Sequence, residues 1–184
     1  ISFAICLSAS ALLMVIGQKK KSAISRYEGY IVVGLSWVFF TIFGMLPYLI
    51  GGYIPSVTDA FFETMSGFTT TGATILDNIE SMPHGILFWR SLTQWIGGLG
   101  IVFFTIVLMP GFGASSQMLY LSEATGVTHN KLYPKTRVMA RYIFVVYILL
   151  TAIESVLLKI GGMSLYDAIC HSMTTTATGG FSTK

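Results

Sequence analysis

Between two segments apolar enough to cross a bilayer lies Thr69-Thr70-Thr71-Gly72-Ala73-Thr74, a run of small hydroxylated residues broken by one glycine. The run has a second copy. Laying Asp59 on Asp167, an offset of 108 residues, brings Ala60 onto Ala168, Met65 onto Met173, Thr70 onto Thr178 and Gly72 onto Gly180 without a gap. Thr64 and Ser172, Ser66 and Thr174, and Thr74 and Ser182 are near matches. A short apolar helix leading into Thr-x-Gly, twice at fixed spacing, leaves few folds open. Irregular backbone survives at membrane depth only when it is buried in protein or lines a water-filled path, because an unpaired carbonyl facing lipid is too costly. A loop there implies a pathway.

The solvent follows from composition. Of 184 residues, 53% are hydrophobic and 10% charged, against about 25% charged in soluble domains. Such a chain cannot cover a water-facing surface, and it reads as an all-α integral membrane protein. The two cysteines, Cys6 and Cys170, are far apart in apolar surroundings. They read as buried free thiols, with no disulfide framework and no zinc site.

Along the chain, Ile1 to Ile16 is apolar throughout and Lys19-Lys20-Lys21 follows at once. A secretory signal carries its charge before the apolar run, so this one reads as a transmembrane helix that has lost its beginning. Tyr27 to Leu49 is long enough to cross the hydrocarbon core, and Pro47 and Gly51-Gly52 close it. Tyr53 to Met65 is too short to span. It opens with Pro55 and with Ser56, Thr58 and Asp59 as possible N-caps, and ends in the Thr/Gly run, which predicts a re-entrant half-helix and loop. Gly85 to Met109 spans again. Phe112 to Arg141 is the long polar stretch, with one short amphipathic helix expected near Met118 to Glu123. Val138 to Ile160 forms the next span, and Ser164 to Thr175 repeats the half-helix before the second Thr/Gly run.

Charge sets the orientation. Eight of the eleven basic residues, Lys19, Lys20, Lys21, Arg26, Lys131, Lys135, Arg137 and Arg141, fall in two loops separated by an even number of crossings. The positive-inside bias places both in the cytoplasm, so the re-entrant loops dip in from outside. Asp59, Glu63, Asp77, Glu80 and Asp167 then gather on the outer side, where a negative vestibule concentrates cations. The basic residues are topology determinants, and the net charge of +3 is no sign of nucleic-acid binding.

A half-helix ending at a loop aims roughly half a negative charge at the bilayer centre and favours a cation there. Glycine lets successive carbonyls turn to one side, and threonine hydroxyls add oxygen ligands, so that together they replace a hydration shell. With no carboxylate in the run, a monovalent ion suits these ligands better than Ca²⁺ or Mg²⁺. Gly97-Gly98-Leu99-Gly100 has the look of a nucleotide-binding loop, but it lies inside a span with no preceding strand. Close helix packing through Gly97, Gly98 and Gly100 is the expectation, so that a serine at Gly98 disturbs packing and leaves ion preference intact. Arg90 is costly at membrane depth and is expected to pair structurally with Glu63, Asp77 or Glu80. Glu154 and Lys159 are expected to snorkel or to pair with each other. His84, His129 and His171 have no ligand spacing, so no metal other than the transported ion is expected.

Three stretches carry a resemblance. Met65-Ser66-Gly67-Phe68-Thr69-Thr70-Thr71-Gly72-Ala73-Thr74, Phe88-Trp89-Arg90-Ser91 with Gln94-Trp95-Ile96-Gly97-Gly98-Leu99-Gly100, and His171-Ser172-Met173 through Ala177-Thr178-Gly179-Gly180-Phe181-Ser182 closely resemble the membrane subunit of the Trk/Ktr potassium-uptake family, in its TrkH-type branch. The resemblance covers the whole chain. It implies helix–pore loop–helix repeats of potassium-channel type, about two of four being present. Residues 1–17 would be a partial helix ahead of the repeats, 18–26 a basic cytoplasmic loop, 27–110 the first repeat, 111–137 a cytoplasmic linker, and 138–184 the second repeat as far as its filter. It implies K⁺ uptake across the bacterial inner membrane, with filter carbonyls from Thr69, Thr70, Thr71 and Gly72 and from Ala177, Thr178, Gly179 and Gly180. A glycine at the place of Gly72 goes with K⁺ selectivity among the relatives, and serine there with Na⁺ transport in plant members. No bound cofactor is implied beyond K⁺ itself. The partners implied are the lipid bilayer, a second copy of the full-length subunit, and a cytosolic nucleotide-binding regulatory ring of the TrkA kind.

The alternative is a non-conducting membrane scaffold or assembly subunit whose Thr/Gly loops serve helix packing. An enzyme is not indicated, because the polar loops hold no nucleophile–base constellation.

Overall fold

The computed structural model describes residues 2–17, 26–102 and 136–184. The described residues are helical and contain no strand. Helix α1 is Ser2–Gly17, α2 Arg26–Gly44, α3 Leu46–Ile50 and α4 Val57–Phe68. Helix α5 is described over 84–102, followed by α6 Thr136–Ile160 and α7 Leu165–Thr176.

The first span is interrupted. The span expected from Tyr27 to Leu49, closed by Pro47 and Gly51-Gly52, is present as Tyr27–Ile50, but within it the backbone turns at Met45 and restarts as α3 with Pro47 in its first turn. Proline has no N–H to give the preceding turn and its ring crowds the carbonyl four residues back, while the first turn of a new helix tolerates it. Tyr27–Ile50 and Ala140–Ile160 are the two described stretches long and apolar enough to cross a bilayer. Both are almost wholly unburied among the described residues, with Val145, Leu149, Ile153, Val156 and Leu157 of α6 turned outward. Helices this apolar and this exposed need lipid or further protein around them.

Both half-helices are built alike. Ser56 caps α4 by accepting from the Asp59 N–H at 3.3 Å, and Ser164 caps α7 by accepting from the Asp167 N–H at 3.0 Å. Of the three N-cap candidates in the expected segment Tyr53 to Met65, Ser56 takes the cap, so the helix starts at Val57, and it runs on to Phe68, past the expected end at Met65. The second runs over Leu165–Thr176, one residue displaced from the expected Ser164 to Thr175. Helix α6 starts at Thr136, so Arg137 and Arg141 lie in the helix and not in the polar loop. After Pro134 the sequence contains no breaker to delay that start. The short helix expected near Met118 to Glu123 and the linker residues 111–135 lie outside the described residues.

Packing follows the small residues. Gly44 brings α2 onto α4, where a Cβ would stand 2.7 Å from the Phe68 ring, and its carbonyl accepts from Trp89 Nε1 at 2.9 Å. Tyr48, Ile54, Ala60 and Ile86 form a buried cluster joining α3, α4 and α5. Helices α6 and α7 are tied by the Ser155 and Ser172 hydroxyls and by Thr151 on Thr176. Trp95 Nε1 donates to Thr151 Oγ1 at 3.0 Å and the Tyr147 hydroxyl to the Trp95 carbonyl at 3.1 Å, which fastens α5 to α6.

Candidate functional site: two paired loops behind one helix

The two Thr/Gly runs adopt the same backbone. At the end of α4, the Thr69 N–H donates to the Met65 carbonyl, Thr70 to Gly67 and Thr71 to Ser66. At the end of α7, Ala177 donates to Met173, Thr178 to Thr175 and Gly179 to Thr174. Each bond is displaced from its counterpart by the 108 residues of the repeat. This is the Schellman ending, whose pivotal residue is left-handed and usually glycine. Here that residue is threonine in both copies, Thr70 with φ 56° and Thr178 with φ 58°. A β-branched residue in this region is an outlier that costs about 1–2 kcal/mol. Strain held twice at the same place is a mark of a functional site. Two residues on, Gly72 and Gly180 have φ 78° and 79°, values that side-chain-bearing residues rarely adopt.

The runs meet each other. A Cβ on Gly72 would overlap the Gly179 carbonyl oxygen, so the first loop lies directly against the second. Thr69 Oγ1 donates to the Met65 carbonyl at 2.8 Å and is 2.8 Å from Thr71 Oγ1, while Ser66 Oγ donates to the Ala73 carbonyl at 2.6 Å. Both half-helices deliver their C-terminal partial negative charge to these loops. Neither Thr/Gly run contains a carboxylate, so the oxygens these loops offer are those of carbonyls and hydroxyls.

Glu63 and Arg90 are both fully buried, with Arg90 Nε 2.8 Å from Glu63 Oε1. Of the three partners considered for Arg90 from the sequence, the structure places Glu63. Glu63 also accepts from the Ile75 N–H at 3.0 Å and from Thr74 Oγ1, which is 2.9 and 3.0 Å from its two oxygens. Arg90 donates onward through Nη2 to Thr74 Oγ1 at 3.2 Å and through Nη1 to the Ser182 carbonyl at 3.0 Å. Its guanidinium lies 4.1 Å from the Phe181 ring centroid. One side chain therefore holds Glu63 and Thr74 of the first repeat through Nε and Nη2 and the second loop through Nη1.

The second loop differs where His171 replaces Glu63 in the repeat. Thr183 Oγ1 donates to Asp167 Oδ1 at 2.7 Å and lies 3.3 Å from His171 Nε2, and Lys184 Nζ is 3.7 Å from Asp167 Oδ2. Hydrogen bonds from Thr183 and Ser164, aided by the charges of Lys184 and His171, hold the Asp167 carboxyl below the usual carboxylate range.

Helix α5 carries the glycines. A Cβ on Gly97 would strike the Phe68 carbonyl, and one on Gly98 would stand 2.6 Å from the Tyr147 hydroxyl and 3.1 Å from Ala177 Cα. Gly100 faces the Trp37 ring, 3.3 Å from a would-be Cβ. Two of the three packing glycines thus seat α5 on the ends of the half-helices themselves. Glu154 and Lys159 do not pair with each other. Thr176 Oγ1 donates to Glu154 at 3.4 Å, and Lys159 Nζ donates to the Met163 carbonyl at 3.4 Å. Cys6 is half-buried and Cys170 buried, and both are free. Among the described residues no three His, Cys, Asp or Glu side chains are placed to hold a metal.

Three features escaped the sequence reading. The left-handed Thr70 and Thr178 follow from hydrogen bonds that residue type does not announce, although their identity across the repeat was a usable signal. Ser182 receives Arg90 through its carbonyl, which carries no sequence mark. Gln94 is fully buried behind the second loop and accepts the Phe181 N–H at 3.1 Å. Its only signal was a polar side chain one helical turn after Arg90.

The chain resembles known proteins along its whole length. Residues 1–184 match the TrkH family, described as cation transport proteins. The chain is 38% identical over 184 residues to the Trk system potassium uptake protein TrkH of Escherichia coli K12, covering 99% of this chain and 38% of that protein. It is 34% identical over 181 residues to the Trk system potassium uptake protein TrkI of Halomonas elongata, covering 98% and 37%. The crystal structure of the potassium transporter TrkH from Vibrio parahaemolyticus superposes with a TM-score of 0.83 at 34% identity, over 100% of this chain and 36% of that one. The chain therefore spans somewhat over a third of the length of these relatives.

Proposed function

Because the chain belongs to the TrkH family of cation transport proteins, whose members are membrane transporters and not enzymes, we propose that it supplies two of the four parts of a K⁺ selectivity filter. The protein that contains it takes up K⁺ across the cytoplasmic membrane. The ion is held by carbonyls and hydroxyls of Thr69, Thr70, Thr71 and Gly72 and of Ala177, Thr178, Gly179 and Gly180. The observation that carries this reading is the matched pair of loops, left-handed at Thr70 and Thr178 and again at Gly72 and Gly180, packed against one another. Oxygen-only ligands at the C-terminal ends of two half-helices favour a dehydrated monovalent cation. The pore loops enter from outside and the basic loops lie in the cytoplasm, in keeping with the distribution of Lys and Arg.

The test is K⁺ uptake by the complete gene product in cells that lack their own K⁺ uptake systems. Growth at low K⁺ together with measured uptake is the expected result. Membrane insertion at normal levels without uptake would leave the scaffold reading in its place.

The family resemblance extends the proposal to partners. The complete subunit forms a homodimer and docks on a cytosolic nucleotide-binding ring through its inner loops. Charge reversal at Lys131, Lys135 and Arg137 should weaken retention of such a ring in a pull-down. Undiminished retention would move the docking surface elsewhere.

A further inference from the structure

The two loops are not equivalent from behind. Position 179 aligns with position 71 across the repeat, yet one is glycine and the other threonine. Only Gly72 and Gly180 among these loop glycines have a positive φ, so backbone conformation does not demand glycine at 179. What demands it is Gln94. A Cβ on Gly179 would lie on the Gln94 amide, overlapping its Cδ and closing on both amide heteroatoms. Thr71, at the same place in the first loop, keeps its side chain, and its hydroxyl contacts Thr69.

Gln94 is wholly buried. Its Oε1 accepts the N–H of Phe181, the residue between Gly180 and the Ser182 carbonyl that Arg90 binds. Its Nε2 has no hydrogen-bond partner among the described residues, and it lies 3.8 Å from where a Cβ on Gly72 would be. A buried amide thus reaches the rear of both loops at their point of contact, with one donor group uncommitted. Leaving such a donor unpaired costs stability, so packing alone would be served better by an apolar side chain of the same size.

We propose that Gln94 is a specificity-determining positioning residue. It sets the distance between the Gly72 and Gly179 carbonyls, and so the width of the ion site on this side, by holding the second loop at Phe181 and filling the space behind Gly179. The inference rests on the filter reading and adds to it that this quadrant is braced by a side chain of the preceding repeat. Gln94 does not touch the ion. Its effect is transmitted through the backbone it holds.

The experiment measures K⁺ and Na⁺ uptake in the complete gene product, with the amount of protein in the membrane determined in parallel. Gln94→Met keeps the volume and removes the acceptor for the Phe181 N–H. The K⁺/Na⁺ uptake ratio should fall about tenfold, equivalent to about 1.4 kcal/mol, with the membrane level maintained. An unchanged ratio overturns the proposal. Should Gln94→Met not reach the membrane, the pair Gly179→Ala and Gln94→Asn decides through a double-mutant cycle. The new methyl group collides with glutamine but fits above the shorter asparagine, so the double variant should be more selective than the product of the two single effects. Independent, multiplicative losses overturn the coupling. Gly180→Ala, measured alongside, separates this inference from its premise. If it lowers the ratio while the Gln94 variants do not, the filter stands and the brace falls, and if neither moves the ratio, both fall.

Discussion

If the two loops form the proposed filter, replacing Gly72 by serine or alanine should sharply lower the K⁺/Na⁺ uptake ratio of the complete gene product. Two effects act together at this position. The φ of 78° imposes about 1–2 kcal/mol on any residue with a Cβ, and the Cβ would also occupy the place of the Gly179 carbonyl oxygen. Backbone cannot yield as a flexible side chain does, so the two loops must part and the carbonyls leave their positions. A fall of at least tenfold in the K⁺/Na⁺ uptake ratio is expected, since about 1.4 kcal/mol is tenfold. Gly180 holds the equivalent position in the second loop, with φ 79°. Gly180→Ser therefore meets the same conformational strain and should lower the ratio as well. Gly98, a packing position from the sequence, touches Ala177 at the start of the second loop, whereas Gly100 faces Trp37. Gly100→Ser is thus the variant expected to alter expression while leaving the ratio intact. Equal ratios in the Gly72→Ser and wild-type proteins would remove the first loop from the ion path.

Arg90→Met should do the greatest damage to the fold itself. It leaves the Glu63 carboxylate buried and without its cation, a loss on the order of 3–5 kcal/mol, and it releases the Ser182 carbonyl and the Phe181 ring at the same time. Little protein should accumulate in the membrane, and what does should unfold at markedly lower temperature in detergent. Arg90→Lys keeps a positive charge but cannot reproduce the guanidinium's three separate directions. It should fall between the wild type and Arg90→Met in membrane level, with impaired selectivity. Removing both charges, as in Glu63→Gln with Arg90→Met, should recover only part of the loss, because the Ser182 carbonyl and the Phe181 ring still lose the guanidinium. Normal accumulation and melting of the Arg90→Met protein would show that the loops are held by something else.

Much of the architecture was legible because it depends on local properties. Hydropathy marks the spans at Tyr27–Ile50 and Ala140–Ile160, since the bilayer requires a length of apolar helix whatever packs beside it. Ser56 and Ser164 announce the starts of the half-helices, because a cap bonds only three residues away. The repeat is visible as sequence identity, and the glycines at 72 and 180 as residues suited to a left-handed backbone. The turn at Met45 inside the first span was not foreseen, although Pro47 marks it, because proline strains the turn before it and not its own position.

What the sequence did not disclose depends on partners far along the chain. Arg90 meets Ser182 across 92 residues and Gln94 meets Phe181 across 87. No local pattern specifies either, since a carbonyl and an N–H belong to every residue type alike. Glutamine was a polar residue on an apolar helix until the second loop lay against it, and Gly179 was one more glycine until the amide behind it gave the reason. The sequence by itself determined that two loops of this kind enter a membrane. Only the tertiary structure decided which one carries the steric contact between them and which helix braces both, because those are matters of distance between segments that hydropathy and capping do not encode.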